Sequence, residues 1–329
     1  EQGHSVNETL HGGMRLFPKF SAKREPGGGL VNKDLMNGFG KAGGNVGTVM
    51  DFTSASLNTG FLAMAAELDL CDINEMAKRL GVSYGDGSDI TKDKYDEAGN
   101  QIEAANAPYA SVLGSKNVSP MAMAGAYATV ANGGKYCQPT AIDSITGPNG
   151  EAIEPPKTTC EQVISPEVAA TAAHALQRVM SSGTGTPSNT WDGTPLIGKT
   201  GTDDSFHTAM VESSSKVATA VWVGNYRDRV SLWNNSVNGV RLSDVRHKLA
   251  PAIQRAANAA YGSDRFPQPD PKLTRPVLKD LPNVIGKSIE DATSILEKAG
   301  FSVSVGDPVD SGEAAGTVGA QSPDAGKVA

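Results

Sequence analysis

The 329-residue chain is short of several things, and each shortage excludes a class of function. No apolar run approaches the roughly 20 residues needed to span a bilayer. No charged segment followed by an apolar one marks a secretory leader. Positive charge is in deficit, with 29 Lys and Arg against 36 Asp and Glu and a net charge of −7. A nucleic-acid binder needs a basic surface, so nucleic acid is not expected as a partner. No cluster of metal-ligand spacing and no cofactor fingerprint is present, and neither a metal nor a cofactor is expected. The chain opens on Glu1 rather than Met and ends in what reads as mid-domain, so it reads as an internal segment. Missing targeting signals therefore say nothing of its location.

What is present is enough to fold. Hydrophobic residues make up 39% of the chain, and the length suits one large domain and one small one. Two of the three cysteines are placed suggestively. Cys137 and Cys160 lie equally far from a turn at Gly147-Pro148-Asn149-Gly150, so a hairpin there would oppose them at bridging distance. A disulfide would imply an oxidising, extracytoplasmic setting; the alternative is a pair of buried thiols. Cys71 reads as a lone small hydrophobe.

The first 50 residues are Gly-rich and weakly periodic, and support no assignment. "SASLNTGFLAMAAELD" has helical apolar spacing. Asp72, with Glu75, opens a short helix that Gly81 closes. Residues 83 to 110 read as a polar surface excursion. Ser119-Pro120 and Ser165-Pro166 each place an N-cap before a helix-opening proline. The period then turns alternating, predicting strands at "LIGKTGT", "HTAMVES" and "KVATAVWVGN", the last two joined by a turn at Ser213–Lys216. A helix over "LSDVRHKLAPAIQRAANAA" follows, capped at Ser243 or Asp244. The predicted boundaries are a domain at 1–260, a Pro-rich linker at 261–280 and a small α/β module at 281–329. The module holds one helix capped by Ser288, with Ala292, Ile295, Leu296 and Ala299 on one face, then an alternating strand.

One stretch carries two incompatible motifs. Gly193 to Thr200 matches the phosphate-binding pattern G-x-x-x-x-G-K-[ST], and Lys199-Thr200-Gly201-Thr202 matches the K-T-G motif of penicillin-binding serine enzymes. A phosphate loop must leave a buried strand and enter a helix. Here the preceding "SSGTGTPSNTWD" is polar and a glycine stands where the helix would start, so the match is one of letters alone. A strand bearing Lys199 among small residues instead presents a cation, hydroxyls and backbone amides to a peptide carboxylate.

The stretches "SLNTGFLAMAAELD", "VSPMAMAGAYATVANGG", "IGKTGT" and "VATAVWVGN" stand in the order seen in actinobacterial class A penicillin-binding proteins, and the chain resembles their transpeptidase domain. Its C-terminal part, "LPNVIGKSIEDATSILEKAGF…AAGTVGAQSPDAG", resembles a PASTA module. The resemblance implies an α/β penicillin-binding/β-lactamase-like transpeptidase fold: an antiparallel sheet with helices on both sides and a helical subdomain, here N-terminally truncated. It implies catalytic roles for Ser56 and Asn58 as the S-x-N motif and for Lys199, which would orient Ser56. Thr200 and Thr202 would hold the substrate carboxylate, Gly201 would allow close approach, and the Thr202 N–H would serve the oxyanion hole. The implied partners are peptidoglycan stem peptides and β-lactams, with other cell-wall synthesis proteins as further candidates. The implied location is extracytoplasmic, through a membrane anchor upstream.

The family's nucleophile belongs to an S-x-x-K motif, and residues 1 to 55 hold none. The resemblance places the missing lysine of that motif about ten residues before Glu1, so this chain alone is expected to be inert. Ser213-Ser214-Ser215-Lys216 matches the letters, but in a hairpin turn where a structural role is expected. His207 stands where the family has an aromatic, glycine-containing strand start, and reads as a half-buried strand residue. Two other functions compete with a transpeptidase. One is a non-catalytic scaffold sensing peptidoglycan through PASTA; the other is a β-lactamase, against which the PASTA tail argues.

Overall fold

The computed structural model describes residues 4–13, 16–17, 30–31, 46–105, 111–114, 116–225, 229–301 and 303–328. Part of the expected surface excursion, residues 106–110, lies outside them, as does Ser302 in the expected module strand.

A short antiparallel pair, β1 (Thr9–His11) and β2 (Val46–Thr48), feeds directly into α1 (Val49–Ala55). Thr48 and Asp51 cap this helix reciprocally, each side chain accepting from the other's backbone N–H. α2 (Asn58–Ala65) and α3 (Leu70–Arg79) follow. Phe52, Leu62, Ala63, Ala65 and Leu70 bury one apolar cluster that joins all three helices to Leu10 of β1. Small side chains let α1 and α2 approach: a Cβ on Gly60 would lie 2.4 Å from Phe52 Cγ. The cap of α3 is Asp69, whose carboxylate accepts from the Cys71 N–H, and not Asp72 as expected. Asp69 has the extended backbone of an N-cap, which leaves Asp72 inside the first turn. Gly81 follows with φ +87°, as the end of a helix demands.

The larger unit is a three-stranded antiparallel sheet in the order β5–β6–β7, comprising Ile197–Asp203, His207–Ser213 and Ala218–Gly224. These are the three strands that alternation predicted. The helices α4 (Pro120–Ala131) and α5 (Pro166–Ser182) begin at the predicted Ser–Pro caps, Ser119 accepting from Ala122 N–H and Ser165 from Val168 N–H. Between them, β3 (Lys135–Cys137) pairs with β4 (Cys160–Gln162), and Cys137 and Cys160 are directly opposed and disulfide-bonded.

α6 (Arg246–Tyr261) covers part of the sheet, burying Ala250 with Met180, Leu196, Met210 and Val221. Neither Ser243 nor Asp244 caps it. A 3-10 turn over Leu242–Asp244 precedes the helix and brings the chain in at helical dihedrals, so the first turn has no side-chain cap. After Tyr261 the chain packs back on the body. Phe266 is buried with Ala173 and Ile197, and the Asp270 N–H donates to Thr171 Oγ1 at 3.2 Å.

In the C-terminal module, α7 (Ile289–Lys298) is capped by Ser288, which accepts from Asp291 N–H. Ala292 is its buried residue, while Lys279–Leu281 pairs with Gly326–Val328. The alternating stretch after Phe301 does not form a strand among its described residues. Among the described residues no strand pairs with it to complete its backbone hydrogen bonds.

Candidate active site

The segment that matches two motifs is the edge strand β5, and a turn and β6 follow it rather than a helix. Without a helix N-terminus there is no place for a phosphate, and the nucleotide reading falls.

Ser56 ends α1 in the left-handed region, with φ 53° and ψ 47°. A non-glycine residue there is uncommon and costs about 1–2 kcal/mol relative to the right-handed basin. The following helix is led by Leu57 without a side-chain cap, so the hydroxyl of Ser56 is not spent on capping. It accepts instead from Lys199 Nζ at 2.6 Å. Lys199 also donates to the Thr200 carbonyl at 3.1 Å and stands 6.0 Å from the centre of the Phe61 ring. Burial, with a smaller contribution from the Arg246 guanidinium, brings its pKa down to about 8. A lysine so placed can give up a proton near neutral pH, which an exposed lysine does poorly.

The contact spans two bodies, and α5 carries the join. Arg178 of α5 pairs with Asp51 of α1 at 2.7 Å, and the Thr184 N–H donates to the Ser54 carbonyl at 3.0 Å. The chain passes so close here that a Cβ on Gly183 would lie 2.5 Å from that carbonyl. The Thr184 hydroxyl then bonds that of Thr200 at 2.7 Å.

Ser56, Asn58, Thr200, Gly201 and Thr202 line one open groove of about 2330 Å³, together with Thr184, Trp222 and Arg246. Asn58 opens α2, one residue beyond Leu57. Gly201 opposes Ala209 across the sheet and leaves that stretch of wall without bulk. Cys137 and Cys160 are not among the groove's lining residues.

Two residues that motif reading passed over belong here. Arg246 Nη1 donates to the Gly201 carbonyl, to Thr202 Oγ1 at 3.2 Å and to the Ala209 carbonyl at 3.3 Å. Thr184 was signalled only by a run of small residues, and Arg246 by nothing at all. Two further residues keep to modest roles. His207 is half-buried at the start of β6 and stacks on Trp222, with ring centres 5.8 Å apart. Ser213 is buried in the β6–β7 turn, its hydroxyl donating to backbone carbonyls, and Lys216 pairs with Asp264.

Comparison with known proteins now decides the family. The profile described as "Penicillin binding protein transpeptidase domain" matches residues 20–230, well over half the chain. The chain belongs to this family. The PASTA domain profile matches residues 279–329 of the same penicillin-binding-protein chain. Among curated relatives, penicillin-binding protein 1A of Aquifex aeolicus is 35% identical over 131 residues, covering 39% of this chain and 18% of that protein. Penicillin-binding protein 1A of Mycolicibacterium smegmatis is 26% identical over 236 residues, covering 68% of this chain and 29% of that protein. The chain thus spans only a fifth to a third of these relatives. Among solved structures, Mycobacterium tuberculosis PonA1 in complex with penicillin V superposes with a TM-score of 0.61 at 20% identity, covering 82% of this chain and 68% of that one. The fold is the penicillin-binding transpeptidase fold. No helix among the described residues is long and apolar enough to cross a membrane.

Proposed function

We propose that this chain is part of a peptidoglycan D,D-transpeptidase, an enzyme that β-lactams acylate. The observation that carries the proposal is the 2.6 Å hydrogen bond from Lys199 Nζ to Ser56 Oγ at the edge of the groove. A hydroxyl held by a lysine whose proton is labile near pH 8 suits proton relay. In this reading a serine Oγ attacks the carbonyl carbon of the penultimate D-residue and gives its proton to the lysine of its own S-x-x-K motif, which reprotonates Ser56 once Ser56 has protonated the leaving amine. The C–N bond to the terminal residue breaks, and Ser56 passes the departing amine its proton. An acceptor amine then attacks the ester, and the serine recovers its hydrogen. Asn58 holds the substrate amide, Thr200 and Thr202 hold the carboxylate, and the Thr202 N–H faces the oxyanion, worth about 3–4 kcal/mol for one such donor.

The attacking serine belongs to an S-x-x-K motif that residues 1–55 do not contain. Acylation therefore draws on a serine outside this sequence, and the chain by itself is inactive. The enzyme works outside the cytoplasm, in keeping with the Cys137–Cys160 bridge. We take residues 1–260 as the catalytic unit, 261–280 as a connecting segment that packs on it through Phe266 and Asp270, and 281–329 as the PASTA unit. The test is to treat the natural full-length protein with fluorescent penicillin and to map the labelled residue by peptide mass. A stable adduct on a serine outside residues 1–329, lost in Lys199→Ala, is the expected result. No adduct, or one on Ser213, overturns the reading.

A further inference from the structure

A guanidinium behind the Lys199 strand has four neutral partners. Arg246 is 9% exposed, and it donates to the Gly201 and Ala209 carbonyls, to Thr202 Oγ1 and to His247 Nε2. A buried cation whose hydrogen-bond partners are all neutral is costly unless something else uses its charge or its geometry, and the nearby Asp244 charge offsets burial only in part, leaving the Arg246 pKa lowered.

The donor inventory fixes what that geometry does. Arginine has donors only, so the Thr202 oxygen is the acceptor of its 3.2 Å bond. The Thr202 hydroxyl proton must then point away from Arg246, and Thr202 is an exposed lining residue of the groove. On the other side, Arg246 Nε donates to His247 Nε2 at 3.1 Å. That nitrogen must be unprotonated, so the ring carries its hydrogen on Nδ1 and gives it to Ser188 Oγ at 2.7 Å. Ser188 is fully buried, which roots the chain in the core. Burial, and then the neighbouring Arg246 charge, lowers the His247 pKa to about 4, so the ring stays neutral and the chain keeps one direction.

We propose that Arg246 is a positioning residue for the substrate carboxylate. It pins the β5 edge at Gly201 and turns the Thr202 hydroxyl proton into the groove toward an anionic ligand group. The inference rests on the transpeptidase reading, and it adds a residue of α6 that lies in neither motif.

The test compares acylation of the natural full-length protein by benzylpenicillin and by its methyl ester, which lacks the anion. Arg246→Met is expected to slow acylation by the acid about thirtyfold, the size of a lost charge-assisted hydrogen bond, and to slow the ester far less. Thr202→Val should do the same, and the double variant should be no slower than either single one, because both act at one hydroxyl. Arg246→Lys, which keeps the charge but not the fork, should recover only part of the rate. Equal losses for acid and ester, additive losses in the double variant, or full recovery by lysine would each overturn the proposal. Should Arg246→Met fail to fold, Thr202→Val and Arg246→Lys still decide. Absence of any adduct on the unaltered protein refutes the transpeptidase reading itself, and is distinct from all of these outcomes.

Discussion

Lys199 Nζ lies 2.6 Å from Ser56 Oγ across 143 residues of chain, joining a helix end to an edge strand. α5 links the two bodies through Arg178 on Asp51, and Thr184, two residues beyond the end of α5, donates to the Ser54 carbonyl and bonds the Thr200 hydroxyl.

Ser56 holds its place at a conformational cost, and two variants separate that cost from the chemistry. Ser56→Ala removes the hydroxyl and keeps a Cβ at φ 53°. Ser56→Gly removes both, and should melt higher than Ser56→Ala, by about 1 kcal/mol of stability. Both should abolish penicillin labelling of the full-length protein. A glycine variant no more stable than the alanine variant would show that the turn is unstrained.

Two glycines of β5 should respond oppositely to alanine. At Gly198 a Cβ would lie 2.5 Å from Met180 Sδ and 2.9 Å from the Val211 carbonyl, so Gly198→Ala should cost about 1–3 kcal/mol. At Gly201 the nearest atom would be Ala209 Cβ at 3.3 Å, so Gly201→Ala should fold with a nearly unchanged melting temperature. It should still slow acylation, because the new methyl stands on the groove wall. Thermal melts read the first effect and labelling kinetics the second.

Glu212 is fully buried on β6 with both carboxyl oxygens unpartnered, and burial raises its pKa to about 8. Between about pH 4.5 and 8 the folded chain holds a proton that the unfolded chain has released. Stability should therefore fall as pH rises through that window and stay low above it. Glu212→Gln should match the unaltered chain near pH 5 and exceed it at pH 9, at roughly 2–4 °C for each kcal/mol. Lys199 acts in the opposite sense at higher pH. Its folded pKa, near 8, is below its unfolded value of 10.5, so the penalty for burying its charge is full below 8 and is relieved between 8 and 10.5. Lys199→Met should accordingly stabilise the chain at pH 7, with the advantage shrinking above pH 8. Denaturant midpoints measured from pH 5 to 10 would check both signs.

The Cys137–Cys160 bridge closes a loop of sequence separation 23. Reduction, or replacement of both cysteines by alanine, should cost no more than about 3.5 kcal/mol by loop-closure entropy. Penicillin labelling should persist, because neither cysteine lines the groove. Loss of labelling on reduction would place the hairpin in the catalytic unit's folding rather than at its margin.

Much of this molecule was written locally. The Ser119 and Ser165 caps, the three alternating strands and the opposed cysteines each depend on neighbours in the chain, and short-range hydrogen bonding or register determines them. The S-x-N and K-T-G letters named Ser56, Asn58 and Lys199 because the family keeps those types in order. Local reading went astray where a competitor lay one turn away: Asp69 took the cap expected of Asp72, and a 3-10 turn displaced the cap expected at Ser243 or Asp244. The resemblance pointed to Lys199 orienting Ser56, and the tertiary structure brings the two to 2.6 Å with the Ser56 hydroxyl free of any capping role. Tertiary structure alone decided that Thr184 meets Thr200 and that Arg246 stands behind Thr202, contacts between residues 16 and 44 positions apart that no period or motif encodes. They exist because packing α5 and α6 on the sheet leaves polar side chains in low dielectric, where each must find a partner.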